Sequence, residues 1–181
     1  MVKRLSFLVF LVFIFAVSSG CGYTAKSLLP PDLKTIYVDN FKNTIDVGKE
    51  TTEMSKYELY RPGIENDVTN AIVNRFAFDG NLKIAQKEGA DLILSGELTS
   101  YRKEALRYDN ADNVEEYRVK ITVDIKATRA SDGKVLWVEK AFTGESTYNT
   151  TGNFVTTEEV ARSEAMEDLA RRVVERTIEG W

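Results

Sequence analysis

From Tyr117 to Thr128 every second residue is apolar or aromatic. Tyr117, Val119, Ile121, Val123, Ile125 and Ala127 alternate with Arg118, Lys120, Thr122, Asp124, Lys126 and Thr128. A period of two sends the two sets to opposite faces of a strand, so this segment belongs to an antiparallel sheet with one buried and one wet face. Ser131-Asp132-Gly133 follows as a hairpin turn, because Asp-Gly accepts the positive φ such turns require. Lys134 to Tyr148 then returns as the partner strand with Val135, Leu136, Trp137, Val138 and Phe142. Upstream, Asp91 to Tyr101 (DLILSGELTSY) is a strand with Leu92, Leu94 and Leu98 on one face and Gly96 interrupting the row. Lys34 to Val38 (KTIYV) is the first strand.

The buried face of such a sheet needs a cover. Ile64, Val68, Ala71, Ile72 and Phe76 recur at helical spacing and form one apolar stripe, ended by Asp79-Gly80-Asn81 with Gly80 as a left-handed cap. A second helix is announced by a capping box, Thr156 with Glu159, and carries the stripe Ala161, Ala165, Leu169 and Val173. The expected fold class is therefore α+β, with two helices packed on one face of a four-stranded mixed sheet. Asp39 to Gly63 reads as one long loop, of the kind that is functional or mobile inside a compact domain.

The amino-terminal end has a different character. Lys3 and Arg4 precede the run LSFLVFLVFIFAV, thirteen residues without a charge, which is short of the ~20 a membrane-spanning helix needs. Ser18, Ser19 and Gly20 follow, and then Cys21. Residues 1–20 have the layout of a secretory signal peptide. A cysteine directly after small residues resembles a bacterial lipobox, in which the thiol receives a diacylglycerol, cleavage falls just before it and the new amino terminus is acylated. Ser18 departs from that pattern, where lipoboxes usually carry Leu. The alternative is an ordinary signal peptide that leaves a free thiol. The expected organisation is 1–20 signal peptide, 21–33 lipidated terminus and linker stiffened by Pro30-Pro31, and 34–181 a single domain. Beyond the signal segment the chain carries 22 basic and 28 acidic residues, so nothing in its charge draws it to anionic lipid and the anchor depends on its acyl chains.

Composition excludes several chemistries. With no histidine, Ser-His-Asp or Cys-His catalysis and histidine-ligated metal are impossible. One cysteine permits no intrachain disulfide. A net charge of -4 argues against nucleic acid as a partner. Glu158, Glu159, Glu164, Glu167 and Asp168 read as a solvated helix face, placed well for the positive helix end, rather than a glycosidase pair. Asp109, Asp112 and Glu115 lack the glycine and spacing of a calcium loop. No enzyme activity, cofactor or metal is expected. Arg118, Lys120 and Lys126 share the wet face of their strand, and Arg102, Lys103 and Arg107 end the strand before it. That positive strip is either routine solvation balanced by Asp124 and Glu139, or a site for a phosphorylated glycolipid headgroup.

Cys21-Gly22-Tyr23, KTIYVDNFKN from Lys34, ADLILSGELTSY from Ala90, YRVKITVDIKATRASDGKVLW from Tyr117 and the closing EGW, taken in order, resemble the LptE family of lipopolysaccharide-assembly outer-membrane lipoproteins. The resemblance spans nearly all of residues 21–181. It implies two helices on a four-stranded sheet, and a chain that plugs the LptD β-barrel, assists its assembly and binds lipopolysaccharide on its way to the outer leaflet. It also implies attachment to the inner leaflet of the outer membrane, on the periplasmic side, through acyl chains on Cys21; Gly22 is compatible with that sorting. A basic residue at the tip after the second strand is associated with lipopolysaccharide in the family, and Arg107 matches it, with Arg118 and Lys120 as helpers. A second basic position falls on Asn153 to Thr156, where no Lys or Arg stands. Asp39 and Asn40 replace a common proline, and Asp46–Arg61 is an insertion. Two other classes stay open: a periplasm-facing lipoprotein that activates peptidoglycan synthesis or secretion, and a carboxylate-only cell-wall hydrolase.

Overall fold

The computed structural model describes residues 29–45 and 62–180. Cys21, the signal segment, Trp181 and the Asp46–Arg61 insertion lie outside the described residues. In chain order the elements are β1 (Thr35–Val38), β2 (Lys42–Asn43), α1 (Ile64–Asp79), β3 (Lys83–Ile84), a 3-10 turn at Lys87–Gly89, β4 (Leu92–Tyr108), β5 (Val114–Arg129), β6 (Val135–Asn149) and α2 (Glu158–Glu179).

The sheet runs β3-β1-β4-β5-β6, with β2 also beside β4. β1 is parallel to β3 and β4, β2 is parallel to β4, and β4, β5 and β6 are antiparallel. The sheet is mixed, as expected, but it has six strands and not four. The two missed strands are two residues each, too short to show a period of two, and one of them breaks up the supposed Asp39–Gly63 loop. β4 also runs seven residues past Tyr101. Arg102 to Tyr108 holds no fully buried side chain, so no hydrophobic alternation marks it as strand.

Both helices cover one face. Val119, Ile121, Val123, Ile125 and Ala127 of β5 share one buried core with Val68, Ile72 and Phe76 of α1 and Ala161, Ala165, Leu169 and Val173 of α2, with α2 lying on β5 and β6 and α1 beside α2, β1 and β3. α2 descends antiparallel to β6: Glu164 accepts from Ser146, Asp168 from the Glu145 amide, Arg172 donates to the Thr143 carbonyl and Arg176 to Glu139. Asp168 and Arg172 thereby occupy backbone groups in the middle of the sheet's outer strand, a position otherwise open to pairing with another chain. α1 links the parallel strands β1 and β4, so it too runs against them and the helices are parallel to each other.

Two glycines set how closely the layers approach. A Cβ on Gly96 would overlap the Phe41 ring, which is why the leucine row of β4 is interrupted there. One on Gly144 would meet the Ala165 carbonyl oxygen and the Leu169 amide, backbone atoms of α2 that move only at a cost. Thr69, outside the apolar stripe, is buried because its hydroxyl donates to the Glu65 carbonyl (2.8 Å) and accepts from the Phe41 amide (3.0 Å). Gly80 caps α1 at φ 77° as expected, its N–H reaching the Phe76 carbonyl. The cap of α2 is Thr157 and not Thr156; the Thr157 hydroxyl accepts from the Val160 amide. Thr156 is held in place of that by its own amide, which donates to the Asn149 carbonyl.

Candidate functional site

The face of the sheet opposite the helices is polar across three strands. Arg102 lies opposite Lys120, Glu104 opposite Arg118 and Ser100 opposite Thr122, while Lys120 faces Glu145 on its other side. Ser100, Arg102, Glu104, Lys120 and Thr122 line a shallow depression of about 220 Å³. Arg118 Nε stands 3.8 Å from Glu145 Oε2. The signs alternate, so this is a charged, wet wall, nearer to routine solvation than to a positive strip. The carboxylates expected to balance it are used elsewhere. Asp124 accepts from the amide of Ala141, which sits at φ 52°, and Glu139 binds Arg176 at 2.6 Å.

Arg107 does not join Arg118 and Lys120. It lies past the bulge that follows Ala105, and its guanidinium goes to Glu115 (3.0 Å) and to the Asn149 side chain (3.3 Å). Its surroundings are amphiphilic. Leu106 and Tyr108 on either side of it are exposed, as are Phe154, Val155 and Val160 beyond Asn149, and Asn149 forms a bridge with Val155. The tip between β4 and β5 is folded by Asp109, whose oxygens accept from the Ala111 amide, the Asn113 amide and the Asn113 side chain. The Asn113 side chain first, then the two amides, hold the Asp109 carboxyl below the usual carboxylate range. These bonds turn the lone pairs inward, and no cluster of three metal-ligating side chains occurs among the described residues.

Lys103 points the other way, into the domain. It donates to Glu158 at 2.9 Å, with side-chain exposures of 14% and 16%, and lies 5.0 Å from the centre of the Tyr117 ring, which stacks on Tyr148. Tyr101 donates to the other Glu158 oxygen. Burial disfavours the Lys103 charge, but the bond and the negative charge of Glu158 outweigh it and hold the ammonium above the ordinary lysine value. Burial likewise raises the Tyr148 phenol, against the opposing pull of Lys103. Glu158 is therefore a partly buried anchor and not part of a solvated acidic face. The alternation of β4 held the signal for this: Lys103 has the parity of the buried Tyr101, opposite Val119 and diagonal to Tyr117.

The family model described as LptE, lipopolysaccharide-assembly, matches residues 33–177. The chain belongs to the LptE family. The match covers every element from β1 through the last turn but one of α2. Among solved structures, the hypothetical protein CT253 from Chlamydia trachomatis is similar at 8% identity and a TM-score of 0.53, over 80% of this chain and 95% of that one. Protein XCC0632 from Xanthomonas campestris is similar at 12% identity and a TM-score of 0.52, over 83% and 89%. At such identities they share the fold with this LptE-family chain. No curated protein matches the chain. Membership assigns this α+β domain to lipopolysaccharide assembly.

Proposed function

We propose that this LptE-family chain is an outer-membrane lipoprotein, anchored by acyl chains on Cys21 and facing the periplasm, that plugs and assists assembly of the LptD barrel and binds lipopolysaccharide in transit. It acts by binding and not by catalysis. The family match over residues 33–177 carries this reading. Two features of the geometry support it. The open sheet face alternates in charge and hydrogen-bonding groups, as a surface against the polar lumen of a transmembrane barrel requires. The hairpin end combines a cation with exposed apolar side chains, and lipopolysaccharide combines phosphates with acyl chains.

On this reading Arg107 meets a phosphate by exchanging its exposed ion pair with Glu115, which is weak and easily broken. Arg118 and Lys120 belong to the wall and contribute through their field. Arg107→Asp should weaken binding of purified lipopolysaccharide about tenfold, since a charge-assisted bond contributes ~1.5–3 kcal/mol. The melting temperature should not change. Equal affinity of wild type and variant would exclude Arg107 from the site.

A further inference from the structure

β1, β4 and β6 start and β5 ends at one pole of the domain, and a recess of about 530 Å³ opens there. Asp32, Lys87, Glu88, Asp91 and Arg129 are its charged lining. Much of their hydrogen-bonding capacity is unused. Arg129 Nε is buried and has no acceptor among the described residues. The other two guanidinium nitrogens stand 3.5 Å from Asp32 and 3.6 Å from Asp132, too far for good hydrogen bonds, and both carboxylates are well exposed. Lys87 has the Tyr37 ring centre 5.9 Å away but joins no ion pair among the described residues, although Glu88 is its neighbour in the same 3-10 turn. Glu88 has no partner there either. Asp91 receives its side-chain bonds from Lys34 and Thr35 on Oδ2 alone, which leaves Oδ1 without a donor.

The recess thus offers unanswered groups of both signs. Its three carboxylates outnumber its two cations, which opposes a phosphate dianion or an anionic lipid. An ammonium alone would leave Arg129 and Lys87 as they are. A group that carries a phosphate and an ammonium a few atoms apart answers both sets: its oxygens accept from Arg129 and Lys87, and its ammonium donates to Glu88 and Asp91. The tether says where such a group is met. Leu29 packs on the core and Leu33 is buried, so the amino-terminal segment enters the fold beside the recess. Cys21 lies eight residues before Leu29, a reach of at most about 26–29 Å. An acylated Cys21 keeps this pole within that distance of the bilayer in every orientation of the domain. The hairpin end, roughly 50 Å further along β4, is under no such restriction.

We propose that this recess binds the phosphoethanolamine headgroup of a phospholipid in the leaflet that holds the Cys21 acyl chains. This rests on the lipid-anchor reading above. The test is native mass spectrometry of the full chain, purified from membranes in mild detergent and offered phosphatidylethanolamine and phosphatidylglycerol in equal amounts. One spectrum then reads both the acylation of Cys21 and the lipid retained. The expected result is an acylated chain that retains one phosphatidylethanolamine, about tenfold more often than phosphatidylglycerol. Lys87→Ala combined with Glu88→Gln should cut that retention about tenfold and leave the melting temperature unchanged, because both side chains are exposed on their turn. An acylated chain that retains neither lipid, or both equally, overturns the recess and leaves the anchor standing. An unmodified Cys21 thiol on a chain that retains no lipid overturns both. Retention that survives the double substitution places the lipid elsewhere and overturns the proposal. Free O-phosphoethanolamine that displaces the lipid at equal concentration assigns the recess to a soluble zwitterion, and loss of the lipid when the chain is purified with its barrel assigns it to the barrel; either result overturns the proposal.

Discussion

Asp91 fastens the start of β4 to the start of β1 with one oxygen. Its Oδ2 accepts from the Lys34 amide, the Thr35 amide and the Thr35 hydroxyl, all within 2.9 Å. The Lys34 amide and the Thr35 hydroxyl, against a small opposing effect of burial, hold its carboxyl below the usual range. A depressed folded-state pKa contributes stability that is present above the unfolded value of ~3.9 and is lost as pH falls through the lower folded value. Asp91→Asn should therefore lower stability at pH 7, by less than ~1 kcal/mol because the site is only partly buried. The difference from wild type should shrink as pH falls below ~3.9; thermal melts across the acid range check it, and a gap that does not shrink would contradict it. Single residues are also where the sequence said least. Asp91, Thr69 and Glu158 look like ordinary polar positions, and what makes each structural is a partner 28 to 57 residues away.

At the scale of elements, α2 on β6 is the contact most sensitive to volume. Gly144→Ala places a methyl against the Ala165 carbonyl and Leu169 amide of α2, and overpacking of this kind costs ~1–3 kcal/mol. Urea unfolding should show that loss, and an unchanged midpoint would mean that α2 can shift. The other end of α2 is held by Lys103 and Glu158. Glu158→Gln leaves a partly buried ammonium without its counter-charge. It should cost about 1–3 kcal/mol, less than the ~3–5 for a fully buried pair, since both ends keep some water. The Lys103 pKa is raised on folding, so this stability is fully present below the unfolded value of ~10.4 and is lost as pH rises through the folded one. Elements with a covered face were legible: the β5 alternation, both helical stripes, and the Gly80 and Gly133 turns all stand where the pattern put them. β2, β3 and the outer part of β4 were not. The first two are set by pairing to β4 and β1, and the last has no cover to impose a pattern.

For the whole molecule, the sequence carried the family and the helix-covered sheet, but not the distribution of charge over its surface. The basic residues counted as one strip divide three ways: Arg102, Arg118, Lys120 and Lys126 on the open wall, Lys103 inside, and Arg107 at the hairpin end. Strand parity and one bulge decide that division, and composition is blind to both. The anchor is separable from the fold. Cys21→Ala should leave a domain with an unchanged melting temperature but move it from the membrane to the soluble fraction, and mass spectrometry that finds an unmodified Cys21 thiol in the wild type would contradict the lipid anchor. The central claim concerns the partner, and its direct measurement is co-expression of the full chain with its cognate LptD barrel, followed by purification of the outer-membrane fraction in mild detergent. The account predicts a stable one-to-one complex of chain and barrel. A chain that never co-purifies with any barrel, or is recovered with a peptidoglycan synthase in its place, would contradict it.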